Sequence, residues 1–516
     1  MPATQEKKFK KILIANRGEI AVRAIRACRE LDIRVGVIYS RADANALPVK
    51  LADEAYFLDR ESDIDAYLDQ ELIVDTAVIH HFDAIYPGYG FLAENARFAA
   101  LCEKHGVTFI GPSSTVLAAM GDKIEAKRIA AGLGIPLVPG THAECATCEE
   151  GKAEAASIGY PVVIKAAGGG GGRGIRVVHE EGAFAKQFAE AQREARLAFD
   201  TACVYVEKFI ENPRHVEFQI LADVYGTIIH LGERDCSVQR RHQKLIEEAP
   251  SQVLTVKKRQ EIGNLAKKLM KEVKYTGAAT VEFLLDSRKN YYFIEVNPRV
   301  QVEHGVTELV TGVDIVQWQI RLAQGEALTL KQQDIQIRGY AIECRINAED
   351  PTQDFTVSSG VIEQYLPPGG NGVRICGGMY VGQEISSQFD TLLVKILAWA
   401  ETREEAVKRM QRALRECVIE GVLTTIPFHL TVLDNKNFLK GEIDTDFITK
   451  NKINQQVRKM VSRLKTPRLW NDNLETRRNR EIALVAAAVY KSLKEEMGSS
   501  GNGGGSAWVQ ASRTNT

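Results

Sequence analysis

A chain of 516 residues, 45% hydrophobic and 26% charged, has ordinary globular composition with apolar material for several cores. At roughly 100 to 200 residues per domain, two to four domains are expected. The formal net charge of −1 offers no global field for nucleic acid or an anionic membrane, so an anionic substrate must be captured by local groups.

Ile12 to Ala15 predicts a buried strand, Asn16-Arg17-Gly18 a turn, and Ile20, Ala21, Ala24, Ile25 and Leu31 a helix by their spacing. Val35 to Tyr39 reads as a second buried strand. The alternation continues through Ala84 to Tyr86, the turn Pro87-Gly-Tyr-Gly90, and Thr108 to Ile110, predicting a parallel α/β sheet with crossover helices over residues 1–122. The first turn holds one glycine where a dinucleotide fingerprint needs three. Over 123–330, helices mix with β-rich segments such as Val162 to Ala166, Ile175 to Val178, Val204 to Phe209 and Val216 to Leu221, predicting an α+β region on an antiparallel sheet. Residues 338–447 carry short strands, turns at Pro367 to Gly370, and a helix over 402–417. The tail, 451–516, is rich in Lys, Arg and Asn, with one amphipathic helical stretch, Glu481 to Met497, and a Gly/Ser-rich end of disordered composition.

Three constellations carry chemistry. Gly168 to Gly172, Arg173 and Gly174 lie between two apolar β-type runs. A glycine run alone is as consistent with a linker, but these flanks predict a hairpin whose bare loop lets backbone N–H groups close over phosphate oxygens, with Lys165 at its entrance. No Walker sequence occurs, so this is not a P-loop. From Glu295 to Glu303 polar groups occupy every odd position, which an extended backbone would gather on one face, solvated or functional. Pro298 favours the functional reading, because proline belongs at an edge or bend. With Glu282 on another β-type run, Glu295 and Asn297 offer the oxygens that Mg²⁺ prefers beside phosphates. Gln239 to Lys244 is a cationic run flanked by β-like segments, read as a strand dipping into a cleft rather than a solvated face.

The ordered blocks Ala15-Asn-Arg-Gly-Glu-Ile-Ala21, Pro87-Gly-Tyr-Gly-Phe-Leu-Ala-Glu-Asn95, Gly121-Asp-Lys123, the glycine loop, Glu211 to Glu217, Gly232 to Ser237, Gln239 to Lys244, Glu295 to Glu303 and Glu343 to Asp350 resemble biotin carboxylase from residue 12 to about 445. The resemblance implies a pre-ATP-grasp, Rossmann-like domain (1–122), an ATP-grasp domain (123–330) with a mobile lid at about 138–210, and a β-rich C-terminal domain (338–447). It implies a ligase that carboxylates biotin with ATP and bicarbonate through carboxyphosphate. ATP would be held by Lys123, Lys165, Gly170, Gly171, Gly172, Arg173, Gly174, Glu207, Lys208, Phe209, Ile210, His215, Gln239 and His242. Two Mg²⁺ or Mn²⁺ ions would sit on Glu282, Glu295 and Asn297. Lys244, Arg299, Gln301 and the backbone of Val302 would bind bicarbonate, with Glu303 as its base. Arg345 would meet the ureido oxygen of biotin; the competing reading for Arg345 is a core salt bridge with Glu343 or Glu349.

Two departures from the family pattern stand out: Gly305, expected to loosen the backbone beside Glu303, and the proline-free stretch Phe355 to Gly360. Another ATP-grasp carboxylate–amine ligase, or a non-catalytic nucleotide-binding subunit, is the alternative, and Lys244, Arg299, Glu303 and Arg345 argue against both. No Met-Lys-Met biotin-attachment sequence occurs, and nothing after residue 450 is large enough for a carboxyltransferase. The expected separate partners are therefore a biotin carboxyl carrier protein and a carboxyltransferase subunit, with helix 481–497 docking one of them, and the resemblance implies a homodimer. Nine cysteines without framework spacing suit reduced thiols. Cys145-Ala-Thr-Cys148 with His142 is half a zinc site with no second pair nearby, better read as surface thiols. The run Ile12 to Ala15 is too short for a signal peptide, and no stretch approaches the roughly 20 apolar residues of a membrane span, so a cytoplasmic location is expected.

Overall fold

Ile12, Leu13 and Ile14 are all fully buried, as a strand covered on both faces requires. They belong to β1 (Lys11–Ile14), the middle of a five-stranded sheet with β2 (Arg34–Tyr39), β3 (Glu54–Phe57), β4 (Ala84–Tyr86) and β5 (Thr108–Phe109), ordered β3-β2-β1-β4-β5 and parallel throughout. Alternation along β1 sends Ile12 and Ile14 into the core beneath helix Gly18–Glu30 and Leu13 into the core on the other side. The sequence pattern missed β3, which is short and only half-buried. The turns after β1 and β4 are tied together, because the Asn16 amide donates to the carbonyls of Pro87 (2.6 Å) and Tyr89 (2.8 Å). Gly88 is needed there: its φ is +66°, and a Cβ would stand 2.9 Å from Ile20.

The computed structural model describes residues 7–141, 144–166, 175–199 and 202–464. Gly170, Gly171, Gly172, Arg173, Gly174, His142 and the stretch 481–497 therefore lie outside the described residues. Strands β6 (Val162–Ala166), β7 (Ile175–Val178) and β8 (Val204–Lys208) form a small antiparallel sheet ordered β7-β6-β8. Lys165 pairs with Ile175, so β6 and β7 are the two arms of the expected hairpin. This sheet has its own core with helices Cys148–Ile158 and Phe184–Phe199, built on Ile164, Val206, Phe184 and Phe188.

The largest sheet has eight strands: β9 (Arg214–Ala222), β10 (Ile228–Arg240), β11 (Gln243–Ala249), β12 (Gly277–Leu285), β13 (Tyr291–Asn297), β14 (Tyr340–Asn347), β15 (Val373–Gly377) and β16 (Leu392–Ala400). Their order is β13-β12-β9-β10-β11-β14-β16-β15, with every pairing antiparallel. The sheet does not stop between the second and third sequence segments: β14 pairs with β11, Ile246 opposite Cys344, so both segments build one surface. Helix Arg403–Glu416 follows, capped by Thr402.

The described residues up to Arg458 form one compact unit. Helix Ile453–Leu464 was not anticipated, since the sequence placed the tail's one helix at 481–497. No described helix is long and apolar enough to cross a membrane, and no disulfide joins the described cysteines.

Phe283 on β12 is fully buried and meets Phe218, Phe293 and Tyr291 edge-on at centroid distances of 6.0 to 6.2 Å. Phe283→Ala is expected to cost about 3–5 kcal/mol, read as a lower urea midpoint. An unchanged midpoint would show that this aromatic layer does not hold the large sheet in place.

Candidate active site

Register across the large sheet brings the charged residues into rows. Glu282 stands opposite both Glu295 and Glu217, Glu217 opposite Arg234, Gln239 opposite Lys244, Glu247 opposite Glu343, and Arg345 opposite Lys395. Like charges directly opposite one another destabilise a sheet unless something compensates. Compensation comes mainly from Lys244. Its Nζ donates to Glu217, to Glu282 Oε1 at 3.0 Å and to Glu303 Oε1 at 2.8 Å.

Below this cluster Arg234 is completely buried and makes four side-chain hydrogen bonds. It donates to Glu217 Oε1 (2.6 Å), Gln219 (2.8 Å), and the hydroxyls of Thr280 and Thr307 (3.0 Å each). Burial opposes ionisation of Glu303, but Lys244, Arg345 and Arg234 outweigh it and hold the carboxyl well below the ordinary range. Glu282 is likewise depressed: burial opposes, Lys244 and His215 prevail, and His215 Nε2 lies 2.7 Å from Glu282 Oε2. Burial and the nearby Glu303 push Glu217 upward.

Two expectations need correcting. Glu295 to Glu303 is not one strand face. The strand ends at Asn297, the chain bends at Pro298, and Glu303 is the N-cap of helix His304–Thr311. Proline cannot donate to the ladder, so pairing stops there and the odd-numbered side chains converge by folding back. Gln239 to Lys244 is not a continuous strand either. Arg240 pairs with Gln243 across a two-residue hairpin turn in which Arg241 and His242 have φ of +50° and +65°. That turn type demands positive φ at both positions, which is uncommon without glycine.

A cleft of about 1570 Å³ collects most of the expected residues: Lys123, Lys165, Lys208, Phe209, Ile210, His215, Gln239, His242, Lys244, Glu282, Glu295, Asn297, Arg299, Gln301, Val302 and Arg345. The turns of Asn16 to Glu19 and of Tyr89 to Phe91 close one side. Arg299 donates to Glu94 (2.5 Å), Gln301 Oε1 (3.1 Å) and Asn297 Oδ1 (3.2 Å). Lys123 pairs with Glu295 at 2.8 Å. The Glu207 side chain does not line the cleft. It is buried between Lys127 and Lys165, the latter at 2.7 Å.

Arg345 has neither of the core partners weighed for it. Its Nε donates to Glu247 Oε1 (2.5 Å) and its NH2 to Glu303 Oε2 (2.8 Å), while neither carboxyl oxygen of Glu343 has a hydrogen-bond partner and Glu349 accepts from Thr391 (2.6 Å). Thr425 and His429 donate to the Arg345 backbone carbonyl at 3.0 and 2.6 Å, anchoring this point of β14. Gly305 is packed rather than loose: a Cβ there would meet Leu397 at 2.5 Å.

For a metal, the donor chemistry fits. Glu282 and Glu295 face each other on paired strands, and Asn297 Nδ2 donates to Glu282 at 2.8 Å, so three oxygen-bearing side chains share one place. Lys244 and Lys123 supply the cations that these acids need.

Sequence reasoning overlooked Glu217, Arg234, Glu247, Lys127, Glu94, Glu19 and Lys395. Lys395 had a signal, a lone lysine inside the apolar run Leu392 to Ala400. It is fully buried, donating to Glu19 (2.7 Å) and the Val302 carbonyl (2.6 Å), and so holds the loop before Glu303. Glu217 could have been found from its period-two relation to His215.

Three family models match the chain: the biotin carboxylase N-terminal domain over 8–117, the carbamoyl-phosphate synthase L chain ATP-binding domain over 122–331, and the biotin carboxylase C-terminal domain over 343–450. A biotin carboxylase of Nostoc sp. is 52% identical over 441 residues, 86% of this chain and 99% of that protein. The 2-oxoglutarate carboxylase small subunit of Hydrogenobacter thermophilus is 50% identical over 85% of this chain and 93% of its own length. A pyruvate carboxylase subunit of Methanothermobacter thermautotrophicus is 49% identical over 88% of this chain and 92% of its own length. The solved dimer of the biotin carboxylase domain of Hydrogenobacter thermophilus 2-oxoglutarate carboxylase, in complex with MgADP, ADP and bicarbonate, matches with a TM-score of 0.85 at 50% identity, covering 87% of this chain and 99% of that one.

Glu207 generates a pH prediction. Burial alone would raise its pKa, but Lys165 and Lys127 draw it down from 4.5 to about 2. A depressed carboxyl contributes stability above its unfolded pKa and loses it as pH falls through the folded value, here worth about 3 kcal/mol. Thermal midpoints should fall between about pH 5 and pH 2, with a shallower acid slope in Glu207→Gln. Equal slopes would remove Glu207 from the acid response.

Proposed function

We propose that this chain, which belongs to the biotin carboxylase family, uses ATP and bicarbonate to carboxylate biotin presented on a separate carrier protein. One observation carries the reading: Lys244 and Arg345 both hold the buried Glu303 at the floor of the cleft that Arg299 and the Glu282–Glu295 pair line. Two cations on one base, beside a paired-acid metal site, is an arrangement for activating a small anion next to a phosphoryl group.

ATP lies along Lys123, Lys165, the glycine loop 168–174, the strand end Glu207 to Ile210, His215, Gln239 and His242. Glu282, Glu295 and Asn297 would hold Mg²⁺ or Mn²⁺, which neutralises charge on the terminal phosphates when bound. Bicarbonate takes Lys244, the planar fork of Arg299, Gln301 and the Val302 N–H. Glu303 removes its proton. The freed oxygen attacks the γ-phosphorus, the bond to ADP breaks, and carboxyphosphate forms. That species splits to CO₂ and phosphate; phosphate takes the biotin N1′ proton, and the nitrogen bonds to CO₂. Arg345 stabilises the charge on the ureido oxygen.

Glu303 in its paired state is a weak base, because Lys244 and Arg345 both favour its anion. Bicarbonate draws Lys244 away and biotin draws Arg345 away. Proton affinity at Glu303 therefore rises as each cation is drawn off and is greatest when both substrates are in place.

The relatives include subunits of pyruvate and 2-oxoglutarate carboxylases, and one solved relative is a dimer. By likeness this chain forms a homodimer; its reduced thiols suit the cytoplasm, where it would work with a biotin carboxyl carrier protein and a carboxyltransferase subunit. Residues 1–122, 123–330 (lid about 138–210) and 338–447 serve as its functional domains.

The test is ADP formation with bicarbonate, with and without free biotin. A biotin-stimulated rate should vanish in Arg299→Ala and Glu303→Gln, and Arg345→Ala should lower kcat about 10² to 10³-fold. ATP turnover that needs an amine and ignores biotin would overturn the assignment.

A further inference from the structure

Behind Arg345 the sheet register sets two acids face to face. Glu247 on β11 stands directly opposite Glu343 on β14, and both are completely buried. Across an antiparallel pair, opposite Cβ atoms are about 4.5–5.5 Å apart. Of the four carboxyl oxygens only Glu247 Oε1 has a partner, the Arg345 Nε at 2.5 Å; Glu247 Oε2 and both oxygens of Glu343 have none. Two buried anions at that separation, with three oxygens lacking donors, are untenable. One proton answers both problems, because it removes a charge and supplies a donor.

Among the described residues the nearby cations, whose charge reaches Glu343, give their hydrogen bonds to other acceptors. Lys395 on β16 is committed to Glu19 and the Val302 carbonyl. Arg345 is committed to Glu247 and Glu303, and Lys244 to its three acids. Cys344 and Cys376 are buried thiols whose acidity burial suppresses. Helix His304–Thr311 brings Gly305 here: a Cβ at that position would lie 3.3 Å from Glu343 Oε2, so the helix offers bare backbone at this point.

We infer that Glu247 and Glu343 share a single proton, carried by Glu343, and that neutral Glu343 is a positioning residue which leaves Glu247 as the anion that aims Arg345 into the cleft. The inference rests on the reading of Arg345 as the group that meets biotin. Burial, reinforced by Glu247 and Glu303 and only partly opposed by the charges of Lys395 and Arg345, pushes Glu343 well above the carboxylate range, whereas burial raises Glu247 less far because the paired Arg345 favours its anion. The direction follows: as pH rises and the pair loses its proton, a second negative charge forms behind Arg345 and draws the guanidinium away from the ureido oxygen. Biotin binding weakens on the alkaline side.

Infrared spectra of the full chain labelled with ¹³C-glutamate test the proton directly. At neutral pH a protonated-carboxyl C=O band should be present and should disappear in Glu343→Gln. Kinetics with free biotin test the positioning. The biotin KM of the natural chain should rise roughly tenfold from about pH 7 to pH 9.5, equivalent to about 1.4 kcal/mol. Glu343→Gln, permanently neutral, should flatten that rise. Glu247→Gln, which removes the anion, should raise KM across the whole range and serves if the first variant does not fold. A merely structural Glu343 would lower kcat or yield without altering the pH dependence of KM. The inference fails if no carboxylic-acid band is lost in Glu343→Gln, or if that variant keeps the natural alkaline rise. A chain that does not carboxylate biotin at all would overturn the functional reading, and the infrared result would still decide the shared proton.

Discussion

The chemistry of the cleft depends on the solvation that Lys244 supplies to three buried acids. Glu217, Glu282 and Glu303 are almost wholly removed from water, and they belong to β9, to β12 and to the loop before helix His304–Thr311. Without a cation at their centre their mutual repulsion would drive protons onto them or push the strands apart. One ammonium on β11 reaches all three, and Arg234 braces Glu217 from below. On the proposed binding of bicarbonate by Lys244, substrate capture and internal charge balance would be two uses of one side chain.

The eight-stranded sheet makes this possible. Antiparallel pairing converts period-two patterns on separate strands into opposed pairs, so residues far apart in sequence meet at fixed spacing. β14 joins β11 through the same rule, which carries Arg345 from the third sequence segment to Glu303 at the end of the second. Glu19, in the first turn of helix Gly18–Glu30, and Tyr89, in the turn after β4, reach the same floor through Lys395. Three segments therefore share one electrostatic unit.

Much of the site was legible because its residues sit in distinctive short motifs. Lys123, Lys244, Arg299, Glu303 and Arg345 were each named by the likeness of their motifs to biotin carboxylase, and the structure gathers them around one cleft and its floor. The shape of the connections was not legible. Pro298 signalled a bend but not where the following carboxylates would point. The positive φ angles at Arg241 and His242 run against local preference, because two successive left-handed residues without glycine are uncommon and only the tertiary setting imposes them.

What the sequence by itself determined was the alternation of strands and helices, the absence of a P-loop, and the motifs whose likeness to a known family named the candidate side chains, because periodicity and short motifs are local properties. The tertiary structure alone decided pairings: Glu247 rather than Glu343 as partner of Arg345, Lys127 beside Glu207, and Lys395 under Val302. Those depend on which strands become neighbours and in what register. Such contacts join residues tens to hundreds of positions apart, and no spacing along one strand encodes them.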